Sequence, residues 1–274
     1  MSWNPTMAPV PCHDSVDAAL AEATWKYFLN PAAQNLQQLV APDFASPPRE
    51  MLRAAVMIQG AHAAIDDEST IVARAIADSG HAVACRTGCC ACCKQAVLAN
   101  PFEAALIGIY LNNNPEQREE FVRAYARWNV ETGGMRDDFL AWAERRYRDN
   151  ADDGKYHYSD FHPDCPFLLD GLCRIYPVRP YACRSYLALS EECANPTTPG
   201  SRPGFQGMDV GSYTHYKKNY QPFLQSLWMR CGIDPKAVRN RFMPELVTIF
   251  LNEDVEGLLK FCHSEGRRIE NPAC

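Results

Sequence analysis

The chain has 274 residues, of which 47% are hydrophobic and 22% charged, as is usual for folded globular proteins rather than disordered or membrane proteins. Its formal net charge of −6 gives no general attraction for nucleic-acid phosphates or anionic membrane surfaces. Residues 1–11 lack the pattern of a secretory signal, and no apolar run is long enough to span a bilayer. We therefore expect a cytoplasmic protein with neither a nucleic-acid nor a membrane partner.

Helical periodicity dominates the first half of the chain. It predicts helices over Ala18–Leu29, Pro48–Ala64 and Glu68–Ala77. Asn100, followed by Pro101 and Glu103, is typical of a helix start and opens an apolar run from Phe102 to Leu111. Pro115 starts the next predicted helix.

Aromatic residues at helical spacing predict buried stripes on either side of a break at Gly133-Gly134. The stripes are Phe121, Tyr125 and Trp128, then Phe139, Ala143 and Tyr147. Further helices are predicted over Tyr213–Arg230, Pro235–Leu251 and Asp254–Cys262. The predicted fold is mainly α, a helical domain with an irregular loop-rich lobe organised by a cysteine-ligated metal centre. Its expected parts are an N-terminal helical segment (1–80), a cysteine-cluster region (81–195) and C-terminal helices (196–274) packing on the same domain.

Thirteen cysteines are many for a reducing compartment, where clustered thiols bind metal more often than they form disulfides. The first group contains Cys85, Cys89, Cys90, Cys92 and Cys93. On a helical projection Cys90 points away from the other four, which nominates it as the one that is not a ligand. Because Cys92 and Cys93 are adjacent, one metal ion is hard for both to reach, and a cluster or two metals is favoured.

The second group contains Cys165, Cys173, Cys183 and Cys193. Its spacing differs from the paired CxxC knuckles of common zinc ribbons and fingers. Eight soft sulfur ligands match two four-cysteine sites in number, or one cluster plus further cysteines. Arg174, Arg179 and Arg184 accompany the group, and guanidinium groups could offset the charge of a thiolate cluster or hold an anionic substrate.

These residues resemble the CxxCxxCC family of zinc- or iron-chelating proteins, also called YkgJ-like cysteine-cluster proteins. The matching stretches are Cys85-x3-Cys89-x2-Cys92-Cys93, Pro101-Phe-Glu103-Ala, Cys165-Pro-Phe-Leu, Cys173-Arg-Ile-Tyr, Arg179-Pro180, Cys183-Arg184 and Cys193. The resemblance implies that the eight matched cysteines are metal ligands. It also implies that Glu103, Arg179 and Arg184 either support those ligands or contact a substrate.

The resemblance leaves the reaction open. The flagellin lysine methylases share this type of cluster, but nothing outside the cysteine region carries their activity over. The Cys85-x3-Cys89-x2-Cys92 spacing is also that of radical S-adenosylmethionine enzymes, although Ala91 stands where that family usually has an aromatic residue. No βα series follows the motif here. A radical enzyme is therefore a lesser alternative.

The leading hypothesis is an iron–sulfur protein, with one or two four-iron clusters, that acts as an enzyme on a protein, a peptide or a small molecule. The alternative is a zinc-binding structural or metal-handling protein without catalysis. A non-haem iron oxygenase is a further alternative and would need His157, His162 or Glu103 as ligands. Catalytic residues, substrate and oligomeric state are not predicted.

Overall fold

The computed structural model describes residues 46–78, 90–149, 163–184, 186–188, 207–209, 220–235, 238 and 240–270. The predicted helix Ala18–Leu29 lies outside them. The described helices are α1 (Pro47–Asp78), α2 (Pro101–Asn112), α3 (Pro115–Thr132), α4 (Arg136–Asp149), α5 (Tyr181–Arg184), α6 (Gln221–Arg230) and α7 (Met243–Glu270). The prediction of a mainly α fold is confirmed. Within the described residues, no helix has both the length and the apolar character needed to cross a membrane.

Helix α2 starts where the sequence predicts, because Asn100 and Glu103 cap it reciprocally. The Asn100 side chain accepts hydrogen bonds from the backbone N–H groups of Phe102 and Glu103 at 3.0 and 3.1 Å. Glu103 Oε2 accepts the Asn100 N–H at 3.0 Å, which completes a capping box with Pro101 at the first helical position. The cap fixes the orientation of Glu103.

Helix α2 is the central helix of the core, packed against α1 and α7. Its nine buried residues include both ends of the helix and every side of it, as expected of a helix surrounded by protein. The Phe102 ring stacks on Trp228 of α6 with 3.8 Å between ring centroids. Gly108 lies against the ring of Phe250 in α7, too close for a β carbon.

Four residues of the predicted aromatic stripes, Phe121, Trp128, Phe139 and Ala143, lie in the core, and Tyr125 packs against it; the side chain of Tyr147 lies outside the described structure. Phe121, Trp128 and Phe139 are each less than 5% exposed. Phe121 stacks on Phe167 with 4.4 Å between centroids, so helix α3 packs against the chain that follows Cys165. This contact joins the helical part of the fold to the second cysteine group.

Six short strands form three two-stranded antiparallel pairs in the described structure. β1 (Leu98–Ala99) pairs with β6 (Arg241–Phe242). β2 (Leu168–Leu169) pairs with β3 (Leu172–Cys173), and β4 (Tyr186–Ala188) pairs with β5 (Gly207–Asp209). Asp170 and Gly171 connect β2 to β3 with φ of 50° and 73°, the positive values that a two-residue hairpin turn requires.

Two predicted helix boundaries are wrong. Pro48–Ala64 and Glu68–Ala77 are one continuous helix, α1. The helix predicted from Pro235 instead begins at Met243, because Arg241 and Phe242 form β6. The break predicted between Leu251 and Asp254 is confirmed, since Asp254 has a φ of 57° and divides α7 at a kink. Of the predicted helix Tyr213–Arg230, residues 213–219 lie outside the described structure, and α6 covers the rest from Gln221.

Candidate metal centre

Four of the eight predicted ligands are described with their side chains: Cys93, Cys165, Cys173 and Cys183. Each of the four is partly buried and forms no disulfide. For Cys92 the structure describes the backbone only. Cys85, Cys89 and Cys193 lie outside the described residues, as do His157 and His162.

The two cysteine groups meet at a backbone hydrogen bond between Cys93 and Cys165. The N–H of Cys165 donates to the carbonyl oxygen of Cys93 at 2.7 Å. The residues are 72 positions apart (165 − 93), so the fold, rather than local sequence, brings them together. This contact links the last cysteine of the first group to the first cysteine of the second.

Cys173 is held next to Cys165 by the β2–β3 hairpin. Leu168 donates its N–H to the Cys165 carbonyl at 2.8 Å, and Leu168 is paired directly with Cys173. The Arg174 N–H donates to the Phe167 carbonyl at 2.8 Å. The hairpin therefore fixes the backbone of Cys173 relative to that of Cys165, although the sequence reads there as irregular loop.

Cys183 lies in the four-residue helix α5, whose first N–H is bound by Glu103. The Tyr181 N–H donates to Glu103 Oε1 at 2.7 Å, which satisfies one of the amide groups that a helix start leaves without an intrahelical partner. Tyr220 donates its hydroxyl to the same oxygen at 3.1 Å. Glu103 thus connects α2, α5 and the start of α6.

The environment of Glu103 favours its charged form. Burial raises the pKa of Glu103, but the hydrogen bond and charge of His62 and the N–H groups of Asn100 and Tyr181 lower it, with a net pKa below the ordinary value. His62 Nε2 lies 3.4 Å from Glu103 Oε1, and both side chains are at most 4% exposed. Glu103 is therefore a carboxylate surrounded by internal donors.

Arg184 holds the other end of α5. Its Nε donates to the Arg179 carbonyl at 2.7 Å and its Nη2 to the Pro177 carbonyl at 2.5 Å. Nη1 donates to Asp66 Oδ2 of helix α1. Burial lowers the pKa of Arg184, and the Asp66 carboxylate opposes that change. With its side chain 5% exposed, Arg184 serves internal contacts and has little surface for a substrate.

Arg179 shares the Asp66 carboxylate with Arg184 but lies nearer the surface. Its Nη2 is 3.6 Å from Asp66 Oδ1, and its guanidinium carbon lies 4.2 Å from the centroid of the exposed Tyr176 ring. Of the two roles that the resemblance implies for the arginines, these contacts favour support of the cysteine-bearing chain.

The backbone around Cys92 and Cys93 is a 3-10 turn over Ala91–Lys94, rather than α-helix. The Cys93 N–H donates to the Cys90 carbonyl at 2.9 Å. In a 3-10 turn, residues three apart lie above one another. The helical projection that separated Cys90 from Cys93 therefore does not apply to this part of the chain. That Cys90 is not a ligand stays a prediction, carried by the family resemblance.

A small depression adjoins Cys165. It is lined by Gln95, Val97, Trp128, Pro163, Cys165, Pro166, Phe242, Met243 and Pro244. Even counting the solvent in its mouth it holds about 240 Å³, below the range from about 300 Å³ that is typical of pockets enclosing small molecules. The depression is therefore too small to enclose a small-molecule substrate.

The donor set of the described part fits a thiophilic metal. No group of three or more His, Cys, Asp or Glu side chains in the described residues is arranged to hold a metal ion. The described residues include the side chains of four of the eight predicted sulfur ligands. The four are soft ligands suited to zinc or to iron–sulfur clusters, and the backbone contacts bring three of them, Cys93, Cys165 and Cys173, into one region.

Three residues that support this region were not found by sequence analysis: His62, Asp66 and Tyr220. Asp66 and His62 lie in α1, 118 and 158 positions from their partners Arg184 and Tyr220. No local pattern marks them, since helical periodicity places both in an ordinary packing helix. Only the packing of α1 on α2 and α5 shows their role.

Comparison with protein families gives one match, over residues 84–199, to the CxxCxxCC family, described as a putative zinc- or iron-chelating domain. Comparisons with curated proteins and with solved structures gave no match. The matched segment begins just before Cys85 and ends after Cys193, so it includes all eight predicted ligands. Residues 84–199 of this chain are therefore similar to the CxxCxxCC family, and the match supports metal binding by this segment.

Proposed function

We propose that the chain is an iron–sulfur protein whose cluster, of the four-iron type, is bound by cysteine thiolates of the two groups. The candidate ligands are Cys85, Cys89, Cys92, Cys93, Cys165, Cys173, Cys183 and Cys193. The observation that carries the proposal is the hydrogen bond between Cys165 and Cys93. It brings together two cysteine groups that are far apart in sequence.

The adjacency of Cys92 and Cys93 supports a cluster over a single zinc ion. Successive residues of a 3-10 turn are rotated by about 120°, so their side chains leave the backbone in different directions. A polynuclear cluster, or a pair of metals, offers separate coordination positions to the two sulfurs. A mononuclear tetrahedral zinc site has one metal ion, which both sulfurs would have to reach.

The proposed role of the cluster is enzymatic modification of a protein, a peptide or a small molecule. Next to Cys165 lie the apolar side chains of Trp128, Phe242 and Met243. When bound, the cluster would supply electron transfer or a Lewis-acidic iron. The protein would supply the apolar wall that limits access of water to that face.

Anaerobic purification of the full chain tests the proposal. We expect iron and acid-labile sulfide in near-equal amounts, a brown colour and a visible charge-transfer band. Cys165→Ala should abolish that band. Cys262→Ala, which changes a thiol buried in the core, is the matched control and should keep it. A folded protein that carries neither iron nor sulfide after reconstitution with both would refute the proposal.

A zinc-binding structural or metal-handling protein is the second candidate. The partial burial of Cys93, Cys165, Cys173 and Cys183 supports it, since structural zinc sites are closed thiolate sites that couple metal binding to folding. This protein would be colourless, would contain zinc as isolated and would loosen on treatment with a chelator. The metal analysis described above separates the two candidates directly.

A further inference from the structure

Helix α5, which carries Cys183, is held at both ends by carboxylates from other helices. At its first residue, the Tyr181 N–H is bound by Glu103 Oε1 at 2.7 Å. At its last residue, the Arg184 guanidinium binds Asp66 Oδ2. A helix of four residues has too few internal hydrogen bonds to define its own position. Its location therefore depends on contacts with the rest of the fold, among them these two.

The two carboxylates come from rigid parts of the fold. Glu103 is 3% exposed and is itself fixed by the Asn100 capping box. Asp66 lies in the 32-residue helix α1, which precedes the segment matched by the family. Arg184 fixes its own geometry with two further bonds to the Arg179 and Pro177 carbonyls. The three nitrogens of one planar guanidinium thus donate to three separate acceptors.

We infer that Glu103 and Asp66 are positioning residues for Cys183, which together hold helix α5 so that this cysteine is placed for metal binding before the metal arrives. Neither carboxylate acts as a ligand in this inference. The inference rests on the proposed function, because it requires that Cys183 is a metal ligand. It assigns to α1, which lies outside the segment matched by the family, a supporting role in the metal centre.

Groups that orient metal ligands have a measurable effect, since their removal typically lowers metal affinity by about 10- to 100-fold. Glu103→Gln is nearly isosteric, but its amide keeps only one acceptor oxygen for the Tyr181 and Asn100 N–H groups. Asp66→Asn removes the charge that faces Arg184 at a position that is 43% exposed, and should be well tolerated by the fold. Each variant should release metal about tenfold faster or more than the natural protein.

The chain offers a matched control for each variant. Glu50→Gln changes an equally buried carboxylate, which pairs with Arg230 of α6 at 3.0 Å and lies 16 residues before Asp66 in α1 (66 − 50), about 24 Å away along the helix axis. Asp78→Asn changes an exposed carboxylate at the end of the same helix as Asp66. Glu50→Gln should lower the thermal stability of the metal-free protein without changing the rate of metal release. Asp78→Asn should change neither.

The experiment measures metal release into excess chelator from the full chain, loaded either with Fe²⁺ and sulfide or with Zn²⁺ alone, beside thermal unfolding of the metal-free protein. Faster release from Glu103→Gln and Asp66→Asn, with natural rates in both controls, supports the inference. Equal acceleration in Glu50→Gln would mean general destabilisation and overturn it. A release rate in Asp66→Asn equal to that of the natural protein would also overturn the inference. This variant tests the inference by itself if Glu103→Gln does not fold.

Failure of this inference is distinguishable from failure of the proposed function. A natural protein that takes up neither Zn²⁺ nor iron and sulfide would refute the proposed function before any variant is compared. A natural protein that holds metal and releases it at the same rate as both variants would refute only the positioning role. Arg184→Lys adds a check, because lysine keeps the charge but cannot reach three acceptors at once, and its release should also be faster.

Discussion

Replacing Gly108 by alanine should destabilise the protein, although alanine is the better helix former. A β carbon at position 108 would lie 2.0, 2.6 and 2.7 Å from three carbons of the Phe250 ring, where ordinary contact is about 3.5 Å or more. Phe250 is 3% exposed, so its ring has little room to move away. The contact between α2 and α7 must therefore open or strain.

The expected size follows from two opposing effects. Alanine in a helix interior is favoured over glycine by about 1 kcal/mol, whereas forcing an extra carbon into a packed core costs about 1–3 kcal/mol, or more when the backbones must shift. With so deep an overlap we expect the upper end of that range, and a net loss of about 1–2 kcal/mol. For a chain of this size that is a fall in Tm of roughly 2–8 °C.

Gly60→Ala is the matched control. Gly60 lies in the interior of α1, and a β carbon there would meet nothing within 4 Å. The same substitution should therefore raise the free energy of unfolding by about 0.5–1 kcal/mol. Thermal and urea unfolding of both variants measure the difference. Equal effects of the two substitutions, or a Gly108→Ala protein more stable than the natural one, would refute the packing of α2 on α7 described above.

Three further predictions concern charge, thiol chemistry and metal. Glu50→Gln should lower the free energy of unfolding by about 3 kcal/mol, because it breaks a buried ion pair with Arg230. The control is Arg53→Ala, which removes the half-exposed arginine that also pairs with Glu50 and should lower the free energy of unfolding by under about 1 kcal/mol. Equal losses for the two variants in urea unfolding would contradict the prediction. Burial and the nearby Glu50 carboxylate raise the pKa of the Cys231 thiol to about 12. Since the unfolded thiol ionises near 9, the stability due to this group should be intact below pH 9 and fall between 9 and 12. Fast alkylation of Cys231 at neutral pH in the native protein, read by peptide mass, would exclude the buried thiol. Removal of metal by a chelator should lower Tm, since a ligand that binds only the folded state stabilises it by mass action. Once the chelator is in excess over the metal, Tm should stay at a fixed lower value. An unchanged Tm would show that metal binding does not contribute to the stability of the fold.

Local sequence rules predicted the helices that have strong local signals. Asn100, Pro101 and Glu103 defined the start of α2 because a capping box involves residues only three apart. The break at Gly133-Gly134 and the burial of Phe121 and Trp128 also followed from local spacing. The start of α7 did not, since Arg241 and Phe242 pair with a strand far earlier in the chain, and such pairing overrides helical periodicity.

The cysteines of the candidate site could be predicted from the sequence, but the residues that hold the cysteine-bearing segments could not. Cysteine spacing is a local pattern, and it marks a metal-binding region without any structure. The partners of Glu103 and Arg184 are decided by how α1 and α6 pack, and their separations of 117 and 118 positions leave no trace in spacing. The two-residue turn at Asp170-Gly171 was a local signal that could have predicted the hairpin holding Cys173.

The residues that hold the cysteine-bearing segments in place lie on both sides of the matched segment as well as within it. Helix α1 supplies Asp66 and His62, residue Tyr220 supplies a hydroxyl to Glu103, and β6 pairs with the strand that follows Cys93. A buried carboxylate such as Glu103 is costly unless its oxygens are bonded. The Glu103 carboxylate is contacted by Asn100 and Tyr181 from within the matched segment, and by Tyr220 and His62 from outside the segment. It therefore has all of its partners only when the helices on both sides of the segment are folded. Unfolding of those helices should therefore weaken metal binding, whereas a substitution that lowers stability but leaves them folded should not.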